Sequence, residues 1–200
     1  MLKFTTLASG SSGNSLLVSG GDTHILIDAG ISCRRITTAL NQLNIDPASL
    51  AAVLVTHEHT DHIQGIRVLA SKHKIPVYAS AGTLEALAEN GTLNGKFPAD
   101  VIPADGIEVN GMFIRPFHTP HDSRESLGFT VEMSDGNRMA IATDIGTITD
   151  EVLSNITCCQ LVMLESNHDV RMLQNNPNYT YALKRRILSD RGHLSNEMCA

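Results

Sequence analysis

The apolar positions of the chain fall into two periods, one suited to strands and one to helices. Residues 2 to 7 form an apolar, Thr-rich strand candidate, followed by the small-residue loop Ala8-Ser9-Gly10-Ser11-Ser12-Gly13-Asn14. Ser15 to Ser19 and His24 to Asp28 read as two strands around Gly20-Gly21-Asp22, a hairpin signal because Gly and Asp accept the backbone of tight turns. Gly30 breaks the second of these. Ile31 to Leu43 then carries apolar residues at 36, 39, 40 and 43, a helical spacing. Pro47 closes that region, and Ala51 to Thr56 is a continuous apolar run suited to a strand buried on both faces. The spacing predicts a helix over Ile63 to Lys72, with Ile63, Ile66, Leu69 and Ala70 on one face and Thr60 or Asp61 as its cap.

Ile75 to Ala79 is a strand candidate and Thr83 to Glu89 a short helix ended by Asn90-Gly91. A strand-rich stretch follows, with Ile107 to Phe117 around Asn110-Gly111, then Gly128 to Met133 and Arg138 to Ala142 around Asp135-Gly136. Thr149 to Asn155 reads as a helix and Leu161 to Glu165 as a buried strand. Tyr179 to Leu188 reads as a helix with Leu183 and Ile187 on its apolar side. No linker, repeat or low-complexity tract interrupts this order. The expectation is an α/β protein (α+β in some schemes), one domain over residues 1–200 with helices on the faces of mixed sheet.

Composition narrows the setting. No run of 18 apolar residues is present and Met1 leads straight into an amphipathic stretch, which argues against a membrane span and a conventional signal peptide. Four cysteines without regular spacing point to a reducing compartment. The net charge of −6, from 15 basic and 21 acidic residues, disfavours coating of nucleic acid by a broadly basic surface but leaves room for a local contact. Arg34-Arg35 and Lys184-Arg185-Arg186 are the densest basic groups, read either as solvated helix faces or as contacts to a nucleic-acid backbone.

The distribution of histidine changes the picture most. Three of nine histidines, His57, His59 and His62, fall within six positions together with Asp61. They follow directly on the apolar strand ending at Thr56, where side chains are held by the sheet yet face a crevice. His57 and His59, two apart in extended chain, project to the same side and suit one ion. Asp61 and His62, where the chain turns into a helix, suit a second ion nearby. Burying three imidazoles and a carboxylate without a ligand would be costly, and this donor set fits zinc, iron or manganese.

The run His57-Glu58-His59-Thr60-Asp61-His62 resembles the HxHxDH signature of the metallo-β-lactamase fold hydrolases, with Asp28, a histidine within 118–121 and Asp144 following in order. Gly10 to Ser15, Glu165 to Asp169 and Gly192 to Asn196 make the chain similar to the bacterial cytoplasmic YycJ or WalJ subfamily, associated with exonuclease activity on DNA. The resemblance implies a four-layered αββα sandwich with two divalent metals, zinc or manganese, at one edge between the sheets. It assigns His57, His59 and a later histidine to the first metal, Asp61 and His62 to the second, and Asp144 to both. His121, in the pair His121-Asp122, is the expected later ligand, with His118 the alternative or a supporting residue. Asp28 is expected to orient a ligand histidine. A water shared by two ions would be hydroxide near neutral pH, the expected nucleophile, with Asp61 part of the catalytic set.

The expected function is therefore metal-dependent hydrolysis of phosphodiester bonds, with DNA as the partner. Hydrolysis of a small thioester or lactone, or a metal-stabilised regulatory protein without turnover, are the competing readings. His168, after the strand 161 to 164, is expected as a phosphate contact or proton donor, or else as a loop histidine bonded to Asp169 or the backbone. Ser11, Ser12, Asn14 and Asn167 are candidate substrate contacts, the first three also readable as tight-turn packing. The resemblance also implies a longer chain, incomplete here at the C-terminus, whose last ligand histidine would come from a strand end. His193 is the local alternative, although it precedes a helix. Missing C-terminal elements would expose an apolar sheet face or edge, which invites association as a homo-oligomer.

Overall fold

The computed structural model describes residues 2–200 and consists of two stacked sheets with helices outside both. The first sheet has the order β1 (Leu2–Ala8), β2 (Ser15–Gly20), β3 (Thr23–Ile27), β4 (Leu50–Leu54), β5 (Val77–Ala79) and β6 (Ala99–Val101). Its first three strands pair antiparallel, β1 and β2 across the loop 9–14 and β2 and β3 through a tight turn, and β3 to β6 pair parallel. Parallel neighbours need crossovers, and α1 (Cys33–Gln42), α2 (Thr60–Ile63), α3 (Ile66–His73) and α4 (Ala81–Glu89) lie within them. The second sheet has the order β11 (Leu161–Leu164), β10 (Arg138–Ala142), β9 (Leu127–Met133), β8 (Met112–His118) and β7 (Ile107–Val109), with only β10 and β11 parallel.

The central strands are apolar throughout because both of their faces are buried. Leu17, Leu26 and Val53 pack with Ile36, Leu40, Ile66 and Leu69 of α1 and α3. Their neighbours Leu16, Val18, Ile25, Ile27 and Leu54 pack with Ile114, Phe129, Val131 and Ile141 of the second sheet. That alternation is the period of two expected of a pleated strand. On the far face, α5 (Asp150–Ile156) places Val152 against Phe117 and Ala142. The remaining helices are α6 (Val170–Asn175), α7 (Tyr181–Ile187) and α8 (Asn196–Cys199). Among the described residues no helix is long and apolar enough to cross a membrane.

Five expectations need correction. The helix predicted over 63–72 is two helices, because the N–H of Gly65 leaves the helical ladder to reach the carbonyl of Ala29 at 2.7 Å. Its start is capped by neither Thr60 nor Asp61: His59 occupies that position with no side-chain cap bond. The strand expected to be buried over 161–165 is the edge strand β11, none of whose residues is buried, and the apolar side of α7 is likewise uncovered. Strand β6 and helix α6, short segments without apolar alternation, are additional to the elements read from the pattern.

The loop after β3 locks the edge where the sheets' C-terminal ends meet. Asn14 N–H bonds the Asp61 carbonyl at 2.7 Å, Gly30 N–H the Asn14 carbonyl at 2.7 Å, and Ala29 N–H the His62 carbonyl at 2.8 Å. A Cβ on Gly30 would lie 1.6 Å from the Asp61 carbonyl oxygen and 2.6 Å from the Asn14 nitrogen, both backbone atoms that cannot rotate away. Gly30→Ala is expected to cost about 3 kcal/mol. In a thermal unfolding scan this is a fall in Tm of roughly 6–12 °C, and an unchanged Tm would contradict this packing.

Candidate metal centre

Strand ends supply the side chains of the centre: Asp28 follows β3, His57 follows β4, His121 follows β8, Asp144 follows β10 and Glu165 follows β11. Asp28 and Asp144 have φ of 59° and 54°, the left-handed region that a side chain enters at a cost, and both sit in the centre. Buried Asp28 accepts hydrogen bonds from the Thr56 N–H and hydroxyl, each at 2.8 Å, and lies 2.8 Å from Nδ1 of His62. It thereby turns Nε2 of His62 toward Asp144, 3.2 Å away. A carboxylate behind a ligand histidine fixes its tautomer and raises its basicity.

Three donor groups adjoin one another. Ligand atoms of His57, His59 and His121 lie within 4.8 Å of each other, as do those of His57, His62 and Asp144, and those of Asp144, Glu165 and His193. Asp144 thus joins the second group to the third, and His57 the first to the second. The donors fit a cation: Nε2 of His57 is buried and reaches no hydrogen-bond partner, while Nε2 of His121 faces Nδ1 of His59 at 3.4 Å. His121 gives its Nδ1 hydrogen to the Gly192 carbonyl at 3.1 Å, which leaves Nε2 as a lone pair directed into the group.

Burial favours the neutral ring at His57 and His121, whereas His62 and Asp144 favour each other's charged forms. Burial pushes His57 well below the usual histidine range, and nearby His62 adds to the effect; burial also lowers His121. For His62 burial opposes the charged ring, yet Asp28 and Asp144 push its pKa up to about 11. Burial would raise Asp144, but its hydrogen bond to His62 and the surrounding histidines hold the carboxyl well below the usual range.

The expected residues divide as follows. Asp61 stands outside the three groups, with Oδ2 3.6 Å from Nε2 of His62 and 3.2 Å from the Asn14 amide nitrogen. The same Asn14 nitrogen lies 3.1 Å from Nε2 of His62, so Asn14 contacts both expected ligands of the second position. A cavity of about 440 Å³ beside the centre is lined by Ser11, Asn14, Asp61, Asp144, Asn167 and His193, while Ser12 lies outside its lining. His118 is exposed and not brought into the centre; its backbone N–H, not its ring, bonds Glu151. His168 also lies outside the cavity lining. Both of its ring nitrogens are buried without a partner, so the alternative of a ring bonded to Asp169 or the backbone does not hold.

His193, the residue before a helix, does reach the centre. Its Nδ1 lies 2.7 Å from Oε1 of Glu165 and 3.5 Å from Oδ1 of Asp144. Burial opposes its charged form, but the hydrogen bond and charge of Glu165 prevail and raise its pKa. Glu165 was not among the expected site residues. Its Oε2 accepts the N–H groups of Ile145 and Leu194 at 2.8 and 3.1 Å, which fixes the carboxylate. Its position at the end of an apolar strand is the same signal that marked Asp28 and His57.

A family model described as the beta-lactamase superfamily domain matches residues 23–199. The chain is 36% identical over 203 residues to exodeoxyribonuclease YycJ of Bacillus anthracis, covering 100% of this chain and 75% of that protein. It is 38% identical over 199 residues to exodeoxyribonuclease WalJ of Streptococcus pneumoniae, covering 98% and 73%. Among solved structures, zinc-bound PqqB from Methylobacterium extorquens shares the fold at a TM-score of 0.78 and 18% identity, covering 98% of this chain and 81% of that one.

Proposed function

The chain belongs to the beta-lactamase superfamily and is a metal-dependent hydrolase, and from that premise we propose that it is an exonuclease cleaving phosphodiester bonds of DNA at two divalent cations. The observation that carries this reading is the continuity of the donor groups through His57 and Asp144, with a polar cavity alongside. His57, His59 and His121 would hold one cation, Asp61 and His62 the other, and Asp144 both. When bound, zinc or manganese supplies Lewis acidity and an acidified water. Asp28 and Asn14 keep His62 and Asp61 in register. Ser11 and Asn167 offer neutral polar groups to the substrate along the cavity wall. His193, held through Nδ1 by Glu165, carries its second ring nitrogen as the proton donor to the leaving oxygen.

The exonuclease names of the relatives at 36% and 38% identity support DNA as the substrate. The test is end-labelled linear DNA against closed circular DNA, before and after chelation. Linear DNA is expected to release mononucleotides, circular DNA to resist, and activity to vanish with chelator and return with zinc or manganese. Turnover of a thioester or lactone with no cleavage of any DNA by the metal-loaded protein would overturn the proposal.

A further inference from the structure

Four histidines line the two cation positions, and three have their outer ring nitrogen occupied. Nδ1 of His57 lies 3.0 Å from the Thr56 hydroxyl, that of His62 2.8 Å from Asp28 and that of His121 3.1 Å from the Gly192 carbonyl. His59 differs in two ways. Its side chain is 30% exposed, against 1% for His62 and His121. It turns Nδ1 toward His121, so Nε2 faces outward, and the carboxylate on that side is Asp122, with Oδ1 3.9 Å away.

Asp122 is itself incompletely satisfied. Its Oδ1 is buried without a hydrogen bond, although Nε2 of His121 is 3.3 Å away, because the approach is not that of a hydrogen bond. Its Oδ2 is taken by Nε of Arg186, which projects from α7. A buried carboxylate oxygen left open beside two ligand histidines calls for an explanation, and ligand histidines almost always give their outer N–H to such a group.

We propose that Asp122 is the positioning carboxylate of His59 and that Arg186 of α7 fixes it in place. The most exposed ligand of the first cation position is then held through an ion pair, where the other three histidines are held by a hydroxyl, a buried carboxylate and a backbone carbonyl. Helix α7, which has no buried residue, is tied to the centre through the same pair. This inference rests on the reading of His57, His59 and His121 as ligands.

The test is zinc affinity at the first position, measured by competition with a chromophoric chelator, together with the visible spectrum of the cobalt(II)-loaded protein. Asp122→Ala is expected to lower affinity about 10- to 100-fold and alter the cobalt spectrum. Asp122→Asn, which keeps an acceptor oxygen, should recover part of the loss. Arg186→Ala, at an exposed position that leaves folding intact, should lower affinity by a smaller factor. Because Arg186 acts through Asp122, the double variant should match Asp122→Ala within about twofold. Metal-free Tm separates a merely structural ion pair, which would move Tm and leave affinity unchanged. A wild-type protein that binds no ion overturns the ligand reading and this inference with it. Wild-type binding matched by both single variants overturns this inference alone.

Discussion

His121→Ala is expected to weaken the first cation position by more than the roughly 10- to 100-fold lost when only a ligand's partner is removed, and to abolish most hydrolysis. His118→Ala should leave both within about twofold, as substitutions at exposed positions usually do. The two histidines are three positions apart, separated by Thr119-Pro120. The chain turns between them: His118 ends β8 on the exposed side, while His121 is buried with its ring centroid 4.8 Å from that of His57. Zinc titration of the two variants, followed by chelator competition, makes the comparison. If His118→Ala loses the ion and His121→Ala keeps it, the first group of donors is wrongly assembled.

Where local pattern and tertiary packing agree, the sequence is legible. The apolar run before His57 is the buried strand β4, and the two hairpins around Gly20-Gly21-Asp22 and Asp135-Gly136 form as their turn residues require. His57, His121 and Asp144 converge because each follows a strand whose position is set by that strand's own hydrophobicity, and His59 and His62 are carried in with His57. What escaped the pattern depends on contacts made between distant segments. Gly65 ends a helix by bonding Ala29, a partner 36 positions away that no local period encodes. Strand β6, Ala99–Val101, is a strand because it extends β5, not because of its residues.

The C-terminal part is the least legible for the same reason. Leu183 and Ile187 have helical spacing, yet spacing says only that a face exists and not that anything covers it. His193 precedes a helix, so the sequence offers no strand end to place it in the centre. In the fold, the segment after α7 returns across the strand ends: Asn167 N–H bonds the Leu194 carbonyl at 2.9 Å, and Asn196 N–H bonds the His168 carbonyl at the same distance. That pairing brings His193 to Glu165, a residue 28 positions earlier, and joins two segments that the sequence shows only as separate polar clusters.

The pair Glu165 and His193 gives the second large effect. If His193 protonates the leaving oxygen, His193→Ala should slow hydrolysis of DNA by about 10²- to 10⁴-fold, the range for a positioned general acid. First-position zinc affinity should hold, because His57, His59 and His121 are untouched. The discriminating substrate is a bis-nitrophenyl phosphate, whose nitrophenolate departs without a proton. On it the same variant should lose little rate. Glu165→Gln keeps the side chain's size but removes the charge that holds Nδ1 of His193 at 2.7 Å, so it should show a smaller loss with the same preference for DNA. His193 also lies 3.5 Å from Asp144, close enough that it could instead be a ligand of the second cation. In that case both substrates would slow equally and bound metal would fall by up to one equivalent, and the proton-donor role would be lost.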